Sequence, residues 1–113
     1  MARETALTEA QITERLGKLP GWTFESDAIR RTYKTDGWPT TLMVVNAIGY
    51  YAEAADHHPD LDVHWGSVGV ALSTHSAGGI TDKDFALAQQ IEQTALWRAG
   101  SPFRPAAKFI RNG

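Results

Sequence analysis

Along this chain the apolar positions switch between a helical period and strict alternation. Leu7, Ile12 and Leu16 recur at helical spacing. Thr8-Glu9-Ala10-Gln11 places a capping box ahead of that stripe, with Leu7 and Ile12 where a hydrophobic staple requires them. Leu19-Pro20-Gly21 ends the element. A second helix carries Leu42, Val45, Ile48, Ala52 and Ala55, is capped by Thr40 or Thr41, and closes before Pro59. A third opens at Thr81-Asp82-Lys83-Asp84. Ile80 and Phe85 form its staple, and Phe85, Ala88, Ile91 and Ala95 its buried face.

Alternation marks two hairpins. Residues 22–25 and 28–34 flank Ser26-Asp27, a tight turn. Residues 61–65 and 68–75 flank Gly66-Ser67, a dipeptide suited to a type II′ turn. That register pairs Trp65 with Val68, Val63 with Val70 and Leu61 with Leu72, so six apolar side chains share one face and Trp65 fills core. Asp62, His64, Gly69, Ala71, Ser73 and His75 share the other. Small residues in the middle of that second face offer little for a helix to pack on. It reads as solvent surface or as the floor of a shallow pocket. The order α-β-β-α-β-β-α predicts an α+β fold, a four-stranded antiparallel sheet with three helices packed on one face. Residues 1–98 form a single domain. Residues 99–113 form a basic tail, with Phe103, Phe109 and Ile110 available to hold it down.

Composition narrows the function. The 113 residues are 42% apolar and 21% charged, ordinary for a globular domain. A net charge of −2 argues against nucleic acid or an anionic membrane as partner, since both select basic surfaces. With no cysteine, disulfides, thiolate metal sites and cysteine nucleophiles are excluded. The apolar run 42–55 is interrupted by Asn46 and Glu53 and is too short to span a bilayer. Residues 1–7 hold Arg3 and Glu4 and no apolar signal core, so a cytoplasmic location is expected.

Candidate chemistry concentrates in the histidines, all four of which lie between positions 57 and 75. His57 and His58 fall where the second helix runs out. Glu53 is one helical turn before His57, placed to orient its imidazole. The negative end of the helix dipole also favours a protonated imidazole there, which suits general acid–base work near neutral pH. Two other readings stay open on spacing alone. His57-His58-Pro59 is also an ordinary helix C-terminal cap. Three histidines and an aspartate are also a donor set for zinc or iron, although adjacent histidines point to different faces of a helix. His64 reads as surface, and Asp84 as the capping carboxylate of the third helix.

The spacing Glu53-x3-His57-His58-Pro59-x5-Trp65-x9-His75-x8-Asp84 resembles the signature of the pterin-4a-carbinolamine dehydratases. Pro20-Gly21-Trp22, Ile29-Arg30-Arg31-Thr32-Tyr33, Ser73-Thr74-His75 and Gly78-Gly79-Ile80-Thr81 extend the likeness over residues 5–97. The resemblance implies the same α+β fold. It also implies loss of water from a 4a-hydroxytetrahydropterin to give the quinonoid dihydropterin, in recycling of the pterin used by aromatic amino acid hydroxylases. It implies no metal and no cofactor, the pterin being substrate. His57 and His75 become the acid–base pair, His58 a second acid–base or substrate-orienting group, and Glu53 a support for the histidines. Asp56, Trp65 and Asp84 fall at family site positions. Trp38-Pro39 departs from the family's Phe-rich entry to the second helix, and the tail beyond Arg98 is an addition.

Two further readings share the fold. One is a non-catalytic module that binds or assembles other proteins. The other is a dehydratase-like enzyme acting on a different pterin, for example in molybdopterin metabolism. Relatives are dimers or tetramers, so a homodimer or homotetramer is expected.

Overall fold

A computed structural model describes residues 5–95 and 110–111. Its elements are α1 (Glu9–Leu16), β1 (Thr23–Glu25), β2 (Ala28–Thr35), α2 (Trp38–Ala55), β3 (Asp60–His64), β4 (Ser67–Leu72), α3 (Asp82–Ala95) and a short β5 (Ile110–Arg111). The antiparallel sheet runs β1-β2-β4-β3, and β5 pairs with β2 beyond the end of β1. The predicted α+β arrangement is the observed one. Apart from Ile110 and Arg111, the tail 99–113 lies outside the described residues.

Local chemistry accounts for most boundaries. Thr8 accepts from the Gln11 backbone N–H while the Gln11 side chain accepts from that of Thr8, the predicted capping box. Ser26 and Asp27 both take positive φ, 51° and 61°, which a two-residue type I′ turn requires. α2 starts earlier than expected. Gly37, not Thr40 or Thr41, is its N-cap, and Pro39 sits in the first turn, where its missing N–H costs nothing. Both threonines face inward instead: Thr40 donates to Asp36 and Thr41 to the Trp65 carbonyl. The buried face of α2 therefore runs through Val44, Ile48 and Ala52, while Leu42 is 41% exposed.

The core lies between one sheet face and the helices. Ile29 and Tyr33 of β2 and Val68, Val70 and Leu72 of β4 meet the buried faces of α2 and α3, including Ala88 and Ile91. Ile12, Leu19 and Trp22 complete it at the α1 end. Glu92 of α3 reaches the sheet as a polar pin. It accepts from Trp22 Nε1 (2.9 Å) and from the Tyr33 hydroxyl (2.6 Å), with the Arg31 guanidinium stacked over the Tyr33 ring at 4.8 Å.

The second hairpin corrects the expected register. Asp60 pairs with Ala71, Leu61 with Val70, Val63 with Val68 and His64 with Ser67. The loop is thus Trp65-Gly66 rather than Gly66-Ser67. Gly66 does not use a positive φ, so the glycine-turn signal is no guide here. Tertiary hydrogen bonds set the turn: Thr35 N–H donates to the Gly66 carbonyl and Thr41 Oγ1 to that of Trp65, both at 2.9 Å. The offset is two residues, an even number, so the residues within β3 and β4 keep their predicted faces. Trp65 and His75, beyond the strand ends, are displaced. Trp65 leaves the core for the turn, where it is 69% exposed beside Gly37.

Candidate active site

The end of α2 is built to turn the chain. Asp56 adopts the left-handed conformation (φ 52°), and its N–H donates to the Glu53 carbonyl. His57 N–H then donates to the Ala52 carbonyl at 3.0 Å. These are the two bonds of a Schellman cap, with aspartate where glycine is more usual. The reversal rotates His57 off the helical face it was expected to share with Glu53. Glu53 Oε1 instead meets Nε2 of His58 at 2.8 Å, both side chains being exposed. Glu53 supports a histidine, but not the expected one.

His57 is turned inward, its side chain 10% exposed, and its Nε2 lies 2.5 Å from Oδ1 of Asp84. Asp84 is 0% exposed. Its Oδ2 accepts from the Thr81 backbone N–H (2.9 Å) and from Thr74 Oγ1 (2.8 Å). The first of these is the predicted capping interaction at the start of α3, where the helix dipole also favours a carboxylate. Capping does not exhaust the residue. One oxygen caps α3, and the other holds His57. An ionised carboxylate only accepts, so Nε2 of His57 carries the proton. Nδ1 is left to take up or give a proton.

His75 is not at the end of a strand. β4 stops at Leu72, and His75 opens a single 3₁₀ turn, His75–Ala77, closed by Gly78 at φ 73°. Thr74 and Gly79 clasp the base of the turn through paired backbone bonds, Thr74 N–H to Gly79 O at 2.8 Å and the return bond at 3.3 Å. The exposed His75 lines a depression of about 510 Å³ on the helix-free sheet face, with Asp60, Ala71, Ser73 and Arg30 among its walls. A smaller depression of about 220 Å³ adjoins it, sharing Arg30, Asp60 and Ala71. The face of small residues is open, as its composition implied.

The structure pairs some of the predicted residues and separates others. His57 and Asp84 touch, and His75 follows Thr74, which touches Asp84. His57 nevertheless lines a different groove, about 350 Å³ between α2 and α3, with Tyr51, Leu87 and Gln90. His58 and Glu53 form an exposed pair at the chain reversal. Asp56 serves the reversal itself. Trp65 lies just beyond the opposite end of β3, whose five residues separate it from the Asp60 end by roughly 16 Å of extended chain. His64, exposed at that same end, is held by Asp62 at 3.1 Å. Asp60, Thr74 and Thr81 do not stand out from sequence as site residues. The usable signal is the position of Thr74 in Ser73-Thr74-His75, with Asp84 ten residues on. Among the described residues no group of three or more His, Cys, Asp or Glu side chains is arranged to hold a metal ion.

Residues 5–94 match the family model described as Pterin 4 alpha carbinolamine dehydratase. The chain belongs to that family. Among relatives of this dehydratase family, a protein of Roseiflexus sp. (strain RS-1) is 47% identical over 89 residues, covering 79% of this chain and 96% of its own. One from Mycobacteroides abscessus is 50% identical over 86 residues, 76% of this chain and 92% of its own. Both carry the name "Putative pterin-4-alpha-carbinolamine dehydratase". A crystal structure described as "transcriptional coactivator/pterin dehydratase from Brucella Melitensis" superposes with a TM-score of 0.75 at 33% identity, over 78% of this chain and 96% of that one. No described helix is long and apolar enough to cross a membrane.

Proposed function

We propose that this protein is a hydro-lyase that converts a 4a-hydroxytetrahydropterin to the quinonoid dihydropterin by histidine acid–base catalysis, in tetrahydropterin recycling. The observation that carries the reading is the buried His57–Asp84 hydrogen bond, in a chain whose family acts on this class of substrate. The reaction breaks the C4a–O bond, and the departing hydroxyl takes a proton to leave as water. The N5 lone pair forms the C4a=N5 double bond as N5 gives up its proton. No electron is gained or lost overall, so acid–base groups suffice. His57, with Nε2–H tied to Asp84, presents Nδ1 for one transfer, and the exposed His75 supplies the other. His58, paired with Glu53, orients the substrate or acts as a further acid–base group. The open depression beside His75 and Asp60 has the size of a small-molecule site.

The test generates the carbinolamine with an aromatic amino acid hydroxylase and follows its decay with and without this protein. Acceleration that is lost in His57→Ala and His75→Ala is the expected result. No acceleration by the wild type, or full activity in both variants, overturns the reading. Running the same assay on other hydroxylated pterins separates a dehydratase of different substrate range. A protein-binding role is the second reading, favoured by Leu42, Met43 and Tyr50 exposed on α2 and by the coactivator description of the Brucella structure. A stoichiometric partner for a protein without dehydratase activity would put that role first. The reading includes a homodimer or homotetramer, which sedimentation checks directly.

A further inference from the structure

We infer that Thr74 is a positioning residue, whose hydroxyl fixes the Asp84 carboxylate and through it the tautomer and orientation of His57. The inference rests on the acid–base reading above and adds a residue to it. Thr74 Oγ1 lies 2.8 Å from Asp84 Oδ2 and 2.8 Å from Thr81 Oγ1, and all three side chains are buried. A hydroxyl has one proton to give. The carboxylate only accepts, so the Thr74 proton goes to Asp84, and Thr81 must then donate to Thr74. The chain Thr81 O–H to Thr74 O–H to Asp84 therefore has one direction. Such chains polarise each member in turn.

The backbone N–H of Thr81 also binds Oδ2, at 2.9 Å. One oxygen of Asp84 is thus clamped by two donors from different directions, and Oδ1 is left facing His57 Nε2. Removing the Thr74 hydroxyl leaves a single donor, about which the carboxylate can swing. His57 Nε2 then loses its fixed acceptor. Thr74 also immediately precedes His75, so the same residue joins the segment bearing His75 to the carboxylate that holds His57.

The experiment compares Thr74→Val, which removes the hydroxyl at nearly constant shape, with Thr74→Ser, which keeps it. Two readouts are taken: steady-state dehydration, and the His57 ring-nitrogen shifts by ¹⁵N NMR, which report the tautomer without requiring activity. Thr74→Val is expected to lower kcat roughly tenfold or more with little change in KM. It should also mix the two neutral tautomers of His57, whereas Thr74→Ser stays near wild type in both readouts. A folded Thr74→Val with unchanged kcat and an unchanged His57 tautomer overturns the inference. Should Thr74→Val fail to fold, Thr74→Ala, which removes the same hydroxyl without a second branch, takes its place. An unaltered His57 signal there overturns the inference equally. A wild type without dehydratase activity sinks the functional reading instead, and the NMR comparison then decides the role of Thr74 alone.

Discussion

Replacing Asp84 by asparagine separates its two duties. The carboxylate receives three hydrogen bonds, from Thr81 N–H, Thr74 O–H and His57 Nε2–H, with no exposure to water. In the Asp84→Asn variant, an amide oxygen in the Oδ2 position keeps the first two. The amide NH₂ group then occupies the Oδ1 position and points a donor at a donor. His57 must move its proton to Nδ1 and accept on Nε2, which removes the base from the position where the proposed chemistry needs it. A hydrogen bond to a charged group contributes roughly 1.5–3 kcal/mol. If that is lost from the transition state, kcat/KM falls roughly tenfold to hundredfold. The fold exchanges one charge-assisted bond of three for a neutral one of reversed direction and should give up no more than about 1.5 kcal/mol. Asp84→Ala differs, because three buried donors lose their acceptor. The cost rises to about 3–5 kcal/mol, a large share of the roughly 5–15 kcal/mol that ordinarily separates folded from unfolded domains. Stopped-flow decay of the carbinolamine and urea unfolding followed by tryptophan fluorescence measure the two effects. An Asp84→Asn enzyme as fast as wild type, or an Asp84→Ala protein as stable as Asp84→Asn, refutes the assignment.

Burial, reinforced by the hydrogen bond to the Glu92 carboxylate, raises the Tyr33 hydroxyl beyond the normal tyrosine range. The unfolded chain therefore loses this proton first, so the associated stability is complete below about pH 10 and declines as pH rises above it. Denaturation midpoints of Tyr33→Phe should accordingly show a shallower alkaline decline than those of wild type, and equal slopes would contradict this. Glu53→Ala removes an exposed pair and should shift unfolding by less than about 0.5 kcal/mol while lowering turnover through His58; a large loss of stability would place Glu53 in the fold rather than the site. Trp65→Ala, at the far end of the hairpin, should leave activity within about twofold of wild type. A severe loss would return Trp65 to the site.

Much of the fold is legible in the sequence because its signals are local. The Thr8 and Thr81 caps, the Ser26-Asp27 turn and the helical stripes each depend on residues within a turn of one another. The start of α2 is not legible in this way, because Thr40 and Thr41 look like caps while their hydroxyls are taken by Asp36 and by the carbonyl of Trp65. The hairpin loop escapes for a related reason: contacts from β2 and α2 select Trp65-Gly66 over a dipeptide with the stronger local preference.

Within the site, the clustering of His57, His58 and His75 and the capping role of Asp84 were set by spacing along the chain. Their partners were not. Helical spacing links Glu53 to His57, but one left-handed residue, Asp56, ends that periodicity and gives Glu53 to His58. His57 and Asp84 are 27 positions apart, with the β3–β4 hairpin and a 3₁₀ turn between them, and no periodicity spans that distance. Only the packing of α3 against the end of α2 brings the two groups within hydrogen-bonding distance. Sequence by itself determined which residues were available for acid–base chemistry and where most elements would start. The tertiary structure decided which imidazole is buried on a carboxylate, because the chain reversal and helix packing that aim those side chains are long-range events.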